Sequence, residues 1–338
     1  MMRLPWFEYR APGTLEEAAK ILAWEGTGAM LLAGGTDLLP NMKRRHQTPE
    51  TLVALRNIEA LKQVANGHGL HLGAGLTLTE LLAVRGLRER YRGLAQAAAQ
   101  VATPQLRNMA TLGGNLCLDT RCTYYNQTQE WRKAIDFCMK KDGEVCWVAT
   151  ASKRCLAVSS SDTAPALIAL GARVRLVSAT GERDLALAEF YNNDGIDYLR
   201  RKPDEILSEV FLPKSDGWKS SYWKLRRRGS FDFPLLGVAA AVKAAPDGTV
   251  EEARLVLGAV SSHPLVVKTD ALAGRRLTDE AIDEIGEAAE SRAKPMDNAD
   301  MDLRWRKHVV ADFVGYALRE IRGDDMQALR LKIAKQAV

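Results

Sequence analysis

The order of hydrophobic and polar positions predicts alternating helices and strands over the first hundred residues. A capping box from Thr14 to Glu17 opens an amphipathic helix to about Trp24, which Gly26 and Gly28 end. Residues 29–33 then read as a short buried strand, and Gly34-Gly35-Thr36-Asp37 turns it into a helix start at Leu38. Residues 51–55 predict another strand, and 61–65 with 70–73 predict a hairpin about Asn66-Gly67-His68-Gly69. A second capping box, Thr77 to Glu80, opens a further helix. Residues 87–102, apolar at helical spacing and followed by Pro104, predict a third.

The same reading continues beyond residue 160. A short helix is expected over 163–170, a hairpin over 173–177 and 183–187, and a strand over 205–212 closed by Pro213. Residues 213–220 (PKSDGWKS) form the best linker. Three strand-like runs follow at 221–227, 238–244 and 254–260, then three helices at about 268–273, 278–292 and 302–322. This strand-then-helix block implies a separate C-terminal domain, and the whole pattern belongs to the α+β class. No repeat of 20–50 residues or low-complexity stretch interrupts it.

Composition narrows the function classes. With 338 residues and 46% hydrophobic positions the chain is long enough for two or three domains with buried cores. The balance of 47 basic against 42 acidic residues is mild and the basic runs are short, so no nucleic acid is expected as partner. No membrane partner is expected either: the first residues lack an apolar signal core, and no run approaches the roughly 18 apolar residues of a membrane span. A cytoplasmic, soluble protein is the resulting expectation.

Cysteine placement is more informative. All five cysteines, Cys117, Cys122, Cys138, Cys146 and Cys155, fall within the segment 117–155. An odd number without a secretion signal favours metal or cluster ligation over disulfides. The last four have the spacing C-x15-C-x7-C-x8-C, which is no ferredoxin run, so spacing alone leaves iron–sulfur and zinc open. None of the five histidines pairs with a cysteine at ligand spacing. No Ser/His/Asp triad or acid/base carboxylate pair emerges, and no catalytic residue is assigned.

Two glycine pairs stand out. Ala33-Gly34-Gly35-Thr36-Asp37 joins a buried strand to a helix start, where exposed amides suit a diphosphate, although a plain strand-to-helix turn would look the same. It is neither a dinucleotide GxGxxG fingerprint nor a P-loop. Ala110-Thr111-Leu112-Gly113-Gly114-Asn115 is the second pair, and two such loops suggest one bound dinucleotide.

Together these motifs resemble the FAD-binding subunits of the molybdenum hydroxylases, the family of xanthine and carbon monoxide dehydrogenase flavoproteins. There the TxGGN motif is followed within a few residues by a segment of the type SPxSDxxPxL. Here its counterpart, Ser159 to Leu167, is delayed, so that about 119–157 reads as an insertion holding Cys122, Cys138, Cys146 and Cys155. A four-cysteine insert is the mark of one branch, the 4-hydroxybenzoyl-CoA reductases, whose insert carries a [4Fe-4S] cluster. Lys224-Leu225-Arg226-Arg227 with Phe231-Asp232-Phe233 resembles the opening of the family's C-terminal domain.

The resemblance implies a PCMH-type FAD-binding region, vanillyl-alcohol-oxidase-like, over 1–215, with subdomains of about 1–57 and 58–215. A CO dehydrogenase flavoprotein C-terminal domain, a three-stranded sheet with a helix bundle, follows over 216–325, and 326–338 would be a tail. It implies non-covalent FAD, with Ala29, Met30, Leu31, Leu32, Ala33, Gly34, Gly35 and Thr36 cradling the diphosphate. Thr111, Gly114, Asn115 and Asp162 would hold other polar groups of FAD, and Lys224 would lie near the isoalloxazine. The partners implied are a large molybdopterin subunit and a small subunit with two [2Fe-2S] clusters, as a dimer of heterotrimers, with ferredoxin as electron donor. Cys117, directly after the second glycine pair, is expected to be a buried small side chain. An oxidising hydroxylase subunit with a zinc-binding or structural insert is the alternative, and a non-redox nucleotide-binding or scaffold protein is the alternative of another class.

Overall fold

The computed structural model describes residues 3–334. The chain begins with a three-stranded parallel sheet of order β1-β3-β2, made of β1 (Glu8–Arg10), β2 (Ala29–Leu32) and β3 (Thr51–Ala54). The crossover from β1 to β2 is the helix Leu15–Glu25, whose first turn is fixed by Thr14 Oγ1 accepting the Glu17 amide. Its Ala18, Ala19 and Leu22 pack with Val53 of β3 and with Ile206 from the next sheet. β2 is an edge strand, and none of its four apolar residues is fully buried.

The second sheet is antiparallel, in the order β4-β5-β8-β6-β7. It comprises β4 (Val64–Asn66), β5 (Gly69–Gly73), β6 (Arg173–Ser178), β7 (Gly181–Ala186) and β8 (Ile206–Pro213). The expected hairpins are present, but Leu61 and Lys62 belong to a 3-10 turn, Glu59–Lys62, instead of to β4. The capping box on helix Leu78–Ala83 forms in both directions, Thr77 to the Glu80 amide and Glu80 to the Thr77 amide. The single helix expected over 87–102 is two, Leu87–Arg90 and Arg92–Ala99. The break falls at Tyr91, which leaves helical geometry (φ −131°) and bonds its hydroxyl to the Pro213 carbonyl. A tertiary contact there overrides a continuous apolar period.

The C-terminal sheet has four strands, not three, in the antiparallel order β12-β11-β10-β9. They are β9 (Trp218–Leu225), β10 (Leu236–Ala244), β11 (Val250–Gly258) and β12 (Leu265–Val267). The added strand β12 is only three residues long, too short to carry a period, and pairs with β11 through Leu255–Leu257. β10 reads as an unbroken apolar run because both of its faces are covered. Ala239 and Ala241 join the core that includes Leu94, Ala97 and Leu167 of the N-terminal region, while Val238, Ala240 and Val242 face the C-terminal helices. One sheet thus cements the two regions together.

Two further expectations are corrected. Residues 268–273 contain a 3-10 turn, Asp270–Leu272, instead of a helix. The presumed tail over 326–338 holds a helix, Gln327–Ile333, seated on the C-terminal domain, with residues 335–338 outside the described residues. Its Arg330 is fully buried, 4.0 Å over the Trp223 ring, bonding the Tyr222 carbonyl and the Glu320 carboxylate. The longer helices Asp279–Arg292 and Leu303–Arg322 bury stripes such as Val310, Phe313, Val314, Ala317, Leu318 and Ile321, the helical period seen in the sequence. Among the described residues no helix is long and apolar enough to cross a membrane.

Candidate functional site

The two glycine pairs meet back to back. A Cβ on Gly34 would overlap the Met109 carbonyl oxygen, and one on Gly114 would lie 3.9 Å from the Ala33 Cβ and 2.9 Å from Thr111 Oγ1. Gly35 adopts φ +71°, the left-handed region that glycine enters without strain. Thr111 Oγ1 accepts the Gly114 amide at 3.0 Å and so starts the short turn Leu112–Leu116. Every residue from Ala29 to Thr36 is half-buried, which leaves an apolar edge strand and its glycine loop open to a ligand. A free strand edge carries unpaired backbone amides and carbonyls.

The other residues expected around FAD have protein partners. Asn115 Oδ1 accepts from Ser161 Oγ at 2.8 Å, Thr163 Oγ1 at 2.6 Å and the Thr163 amide at 3.3 Å, which pins the helix Thr163–Ala169 to the second glycine loop. Asp162, at the start of that helix, accepts from Tyr222 Oη at 2.7 Å and Lys224 Nζ at 2.9 Å. Lys224 is fully buried and also donates to the Gln100 carbonyl at 3.0 Å. Burial pushes the Asp162 carboxyl up and the Lys224 ammonium down, and each charge pulls the other back. These three side chains therefore brace the loops across the interface of the two regions.

The cysteine insert leaves and returns at one neck, where Arg121 and Val158 pair as an antiparallel bridge. Cys122, Cys138, Cys146 and Cys155 are all buried, all free thiols, and all line one small pocket with Tyr125, Lys140 and Trp147. Burial pushes the Cys122 thiol up to about 12. It pushes Cys155 up to about 11 against the opposing pull of the Ala157 amide and Lys140. Asp136 and Phe137, immediately before Cys138, both take left-handed backbone (φ 59° and 57°), strain of the kind that surroundings must hold in place. Cys117 lies apart from this pocket, packed against the large core below the second glycine loop.

The four sulfurs share a pocket without converging. Among the described residues, no three His, Cys, Asp or Glu side chains come together as the ligands of one metal ion would. A zinc site needs four sulfurs about 2.3 Å from one centre, hence about 3.8 Å from each other. A [4Fe-4S] cluster places one iron behind each thiolate and so spreads them further. Four buried thiols lining one pocket are the donor set that either group would use.

Several supporting residues carry no motif. Gly195, from a loop outside the insert, donates its amide to the Cys155 carbonyl at 2.9 Å, and a Cβ there would sit 2.7 Å from Cys155 Sγ. His46 stacks on Tyr125 with ring centres 4.1 Å apart, and burial followed by the Arg132 charge lowers its pKa to about 4. Arg121 pairs with Asp37 of the first glycine loop, donates to Asn41 Oδ1 at 3.2 Å and lies 4.7 Å over the Phe233 ring. The neck of the insert and the first glycine loop are thereby tied to each other. Only spatial proximity reveals these contacts, since the partners lie tens of residues apart.

Two family models together match most of the chain. Residues 5–215 match the FAD binding domain in molybdopterin dehydrogenase, and residues 220–321 match the CO dehydrogenase flavoprotein C-terminal domain. The aldehyde oxidoreductase FAD-binding subunit PaoB of Escherichia coli is 35% identical, over 76% of this chain and 82% of its own length. The carbon monoxide dehydrogenase medium chain of Hydrogenophaga pseudoflava is 26% identical, over 93% of this chain and 96% of its own. A solved structure of carbon monoxide dehydrogenase from that organism superposes with a TM-score of 0.77 at 26% identity, covering 94% of this chain and 98% of the other.

Proposed function

This chain belongs to the FAD-binding medium subunits of the molybdenum hydroxylase family, and on that premise we propose that it is the electron-transfer subunit of a complex whose substrate reacts on another polypeptide. FAD would lie along residues 29–36 and the loop of Thr111 and Gly114, with Asn115, Asp162 and Lys224 holding that loop and its neighbouring helix in place. Bound flavin supplies one- and two-electron chemistry, which the protein orients and tunes. Cys122, Cys138, Cys146 and Cys155 would hold a [4Fe-4S] cluster, a one-electron carrier. The single observation that carries this part is one pocket lined by four buried free thiols. The partners proposed are a large molybdopterin subunit and a small subunit with two [2Fe-2S] clusters, in a dimer of heterotrimers.

The named relatives, an aldehyde oxidoreductase subunit and a carbon monoxide dehydrogenase chain, support substrate oxidation, with electrons leaving through this subunit. The narrower reading as a 4-hydroxybenzoyl-CoA reductase subunit, fed by reduced ferredoxin, is favoured by the four-cysteine insert. The anaerobic native complex separates the two. Bleaching of the flavin by aromatic or aliphatic aldehydes, with no added reductant, is the result expected of the oxidising enzyme. Formation of benzoyl-CoA from 4-hydroxybenzoyl-CoA only with reduced ferredoxin would establish the reductase instead. A protein that neither carries nor takes up FAD would contradict both.

A further inference from the structure

Lys140 is placed where a fixed charge would act on whatever the four thiols hold. It lines the same pocket as Cys122, Cys138, Cys146 and Cys155, and its side chain is only 6% exposed. Its ammonium donates to Asp119 Oδ1 at 2.8 Å, Thr120 Oγ1 at 2.8 Å and the Gly195 carbonyl at 2.5 Å. Three acceptors use all three of its N–H donors, so the charge is held in one position. The Tyr125 and Tyr198 rings flank it at 4.8 and 5.3 Å. Asp119, equally buried, takes further hydrogen bonds from Tyr125 Oη at 2.9 Å and Gln47 Nε2 at 3.1 Å. Asp119 follows the second glycine loop by a few residues in the chain.

We infer that the Lys140–Asp119 pair sets the reduction potential of the cluster, with Lys140 as the charge on the pocket wall and Asp119 as its opposing partner; this rests on the cluster reading above. Adding one electron makes the cluster more negative. A fixed cation beside it favours the reduced form and a carboxylate disfavours it, and both act strongly where water is excluded. Lys140 also orients a ligand, since the Gly195 carbonyl it binds belongs to the residue whose amide holds the Cys155 carbonyl. A purely structural pair would give both substitutions the same sign of effect. A tuning pair gives them opposite signs.

The test is an EPR-monitored redox titration of the native complex in three variants. Lys140→Gln is expected to reduce the reduced-to-oxidised cluster ratio at fixed potential about tenfold, a midpoint shift of ~59 mV to more negative values. Asp119→Asn, which keeps the shape of the side chain, is expected to shift the midpoint to more positive values. Lys140→Arg is expected to leave it near the wild-type value. If Lys140→Gln fails to retain iron, the sign of the Asp119→Asn shift decides. Unmoved or same-sign shifts with an intact cluster signal overturn the inference alone. A wild-type complex whose insert shows no cluster signal overturns the cluster reading and this inference with it.

Discussion

At the scale of single residues, two glycines lie at the two proposed cofactor sites and make separable predictions. Gly34 has no room for a Cβ because the Met109 carbonyl of the facing loop occupies that position. Gly34→Ala must push the two glycine loops apart, and overpacking of this kind costs about 1–3 kcal/mol. The purified variant is expected to lose most of its flavin absorbance while keeping its iron. Gly195→Ala places its methyl 2.7 Å from Cys155 Sγ and 2.8 Å from the Ala157 amide, with no flavin loop nearby. Loss of iron with retention of flavin is the expected outcome there. Both losses together in either variant would show that the two sites are not independent. The first glycine was legible because it sits in a motif, whereas the second is a plain Asp-Gly loop until folding sets it against a cysteine.

Among the elements, the insert shows where sequence pattern ends and packing begins. Its boundaries were readable because a family motif is split on either side of it, and its cysteines because they cluster. Its anchors were not. His46, which from sequence has no ligand partner, is the buried stacking partner of Tyr125 and donates from Nε2 to the Gln127 carbonyl, 3.3 Å away. Its pKa of about 4 in the fold lies below the ordinary 6.5, chiefly through burial. The imidazole is neutral in the native state, so the unfolded chain binds a proton that the folded chain refuses. Stability from this residue is complete above pH 6.5 and declines as the pH falls towards 4. Thermal unfolding of wild type and His46→Gln across that range checks it, and the variant is expected to show the shallower decline. Helix breaks at Tyr91 and the three-residue β12 escaped the pattern for a similar reason: a tertiary hydrogen bond decides one and strand pairing the other.

For the whole molecule, the C-terminal sheet and the FAD-like region form one body through a buried polar junction. Lys224, Asp162, Tyr222 and Gln100 bond across it, and Asn115 and Thr163 extend it to the second glycine loop. The sequence motifs assigned Asp162, Lys224 and Asn115 to FAD; the structure shows Asp162 paired with Lys224 and Asn115 bonded to Ser161 and Thr163. Lys224→Met leaves a buried carboxylate without its cation, at a cost of about 3–5 kcal/mol. The double variant Lys224→Met/Asp162→Asn is expected to recover part of that loss in chemical denaturation, with flavin content following stability. An additive loss would contradict the pairing.

The most direct test of the central assignment is the ratio of iron to flavin in the native complex. A [4Fe-4S] cluster in the insert, beside two [2Fe-2S] clusters on a small subunit, gives about eight irons per FAD. Cys138→Ser is expected to reduce that ratio while the flavin stays. A ratio of about four in the wild-type complex, unchanged in Cys138→Ser, would contradict a cluster at Cys122, Cys138, Cys146 and Cys155.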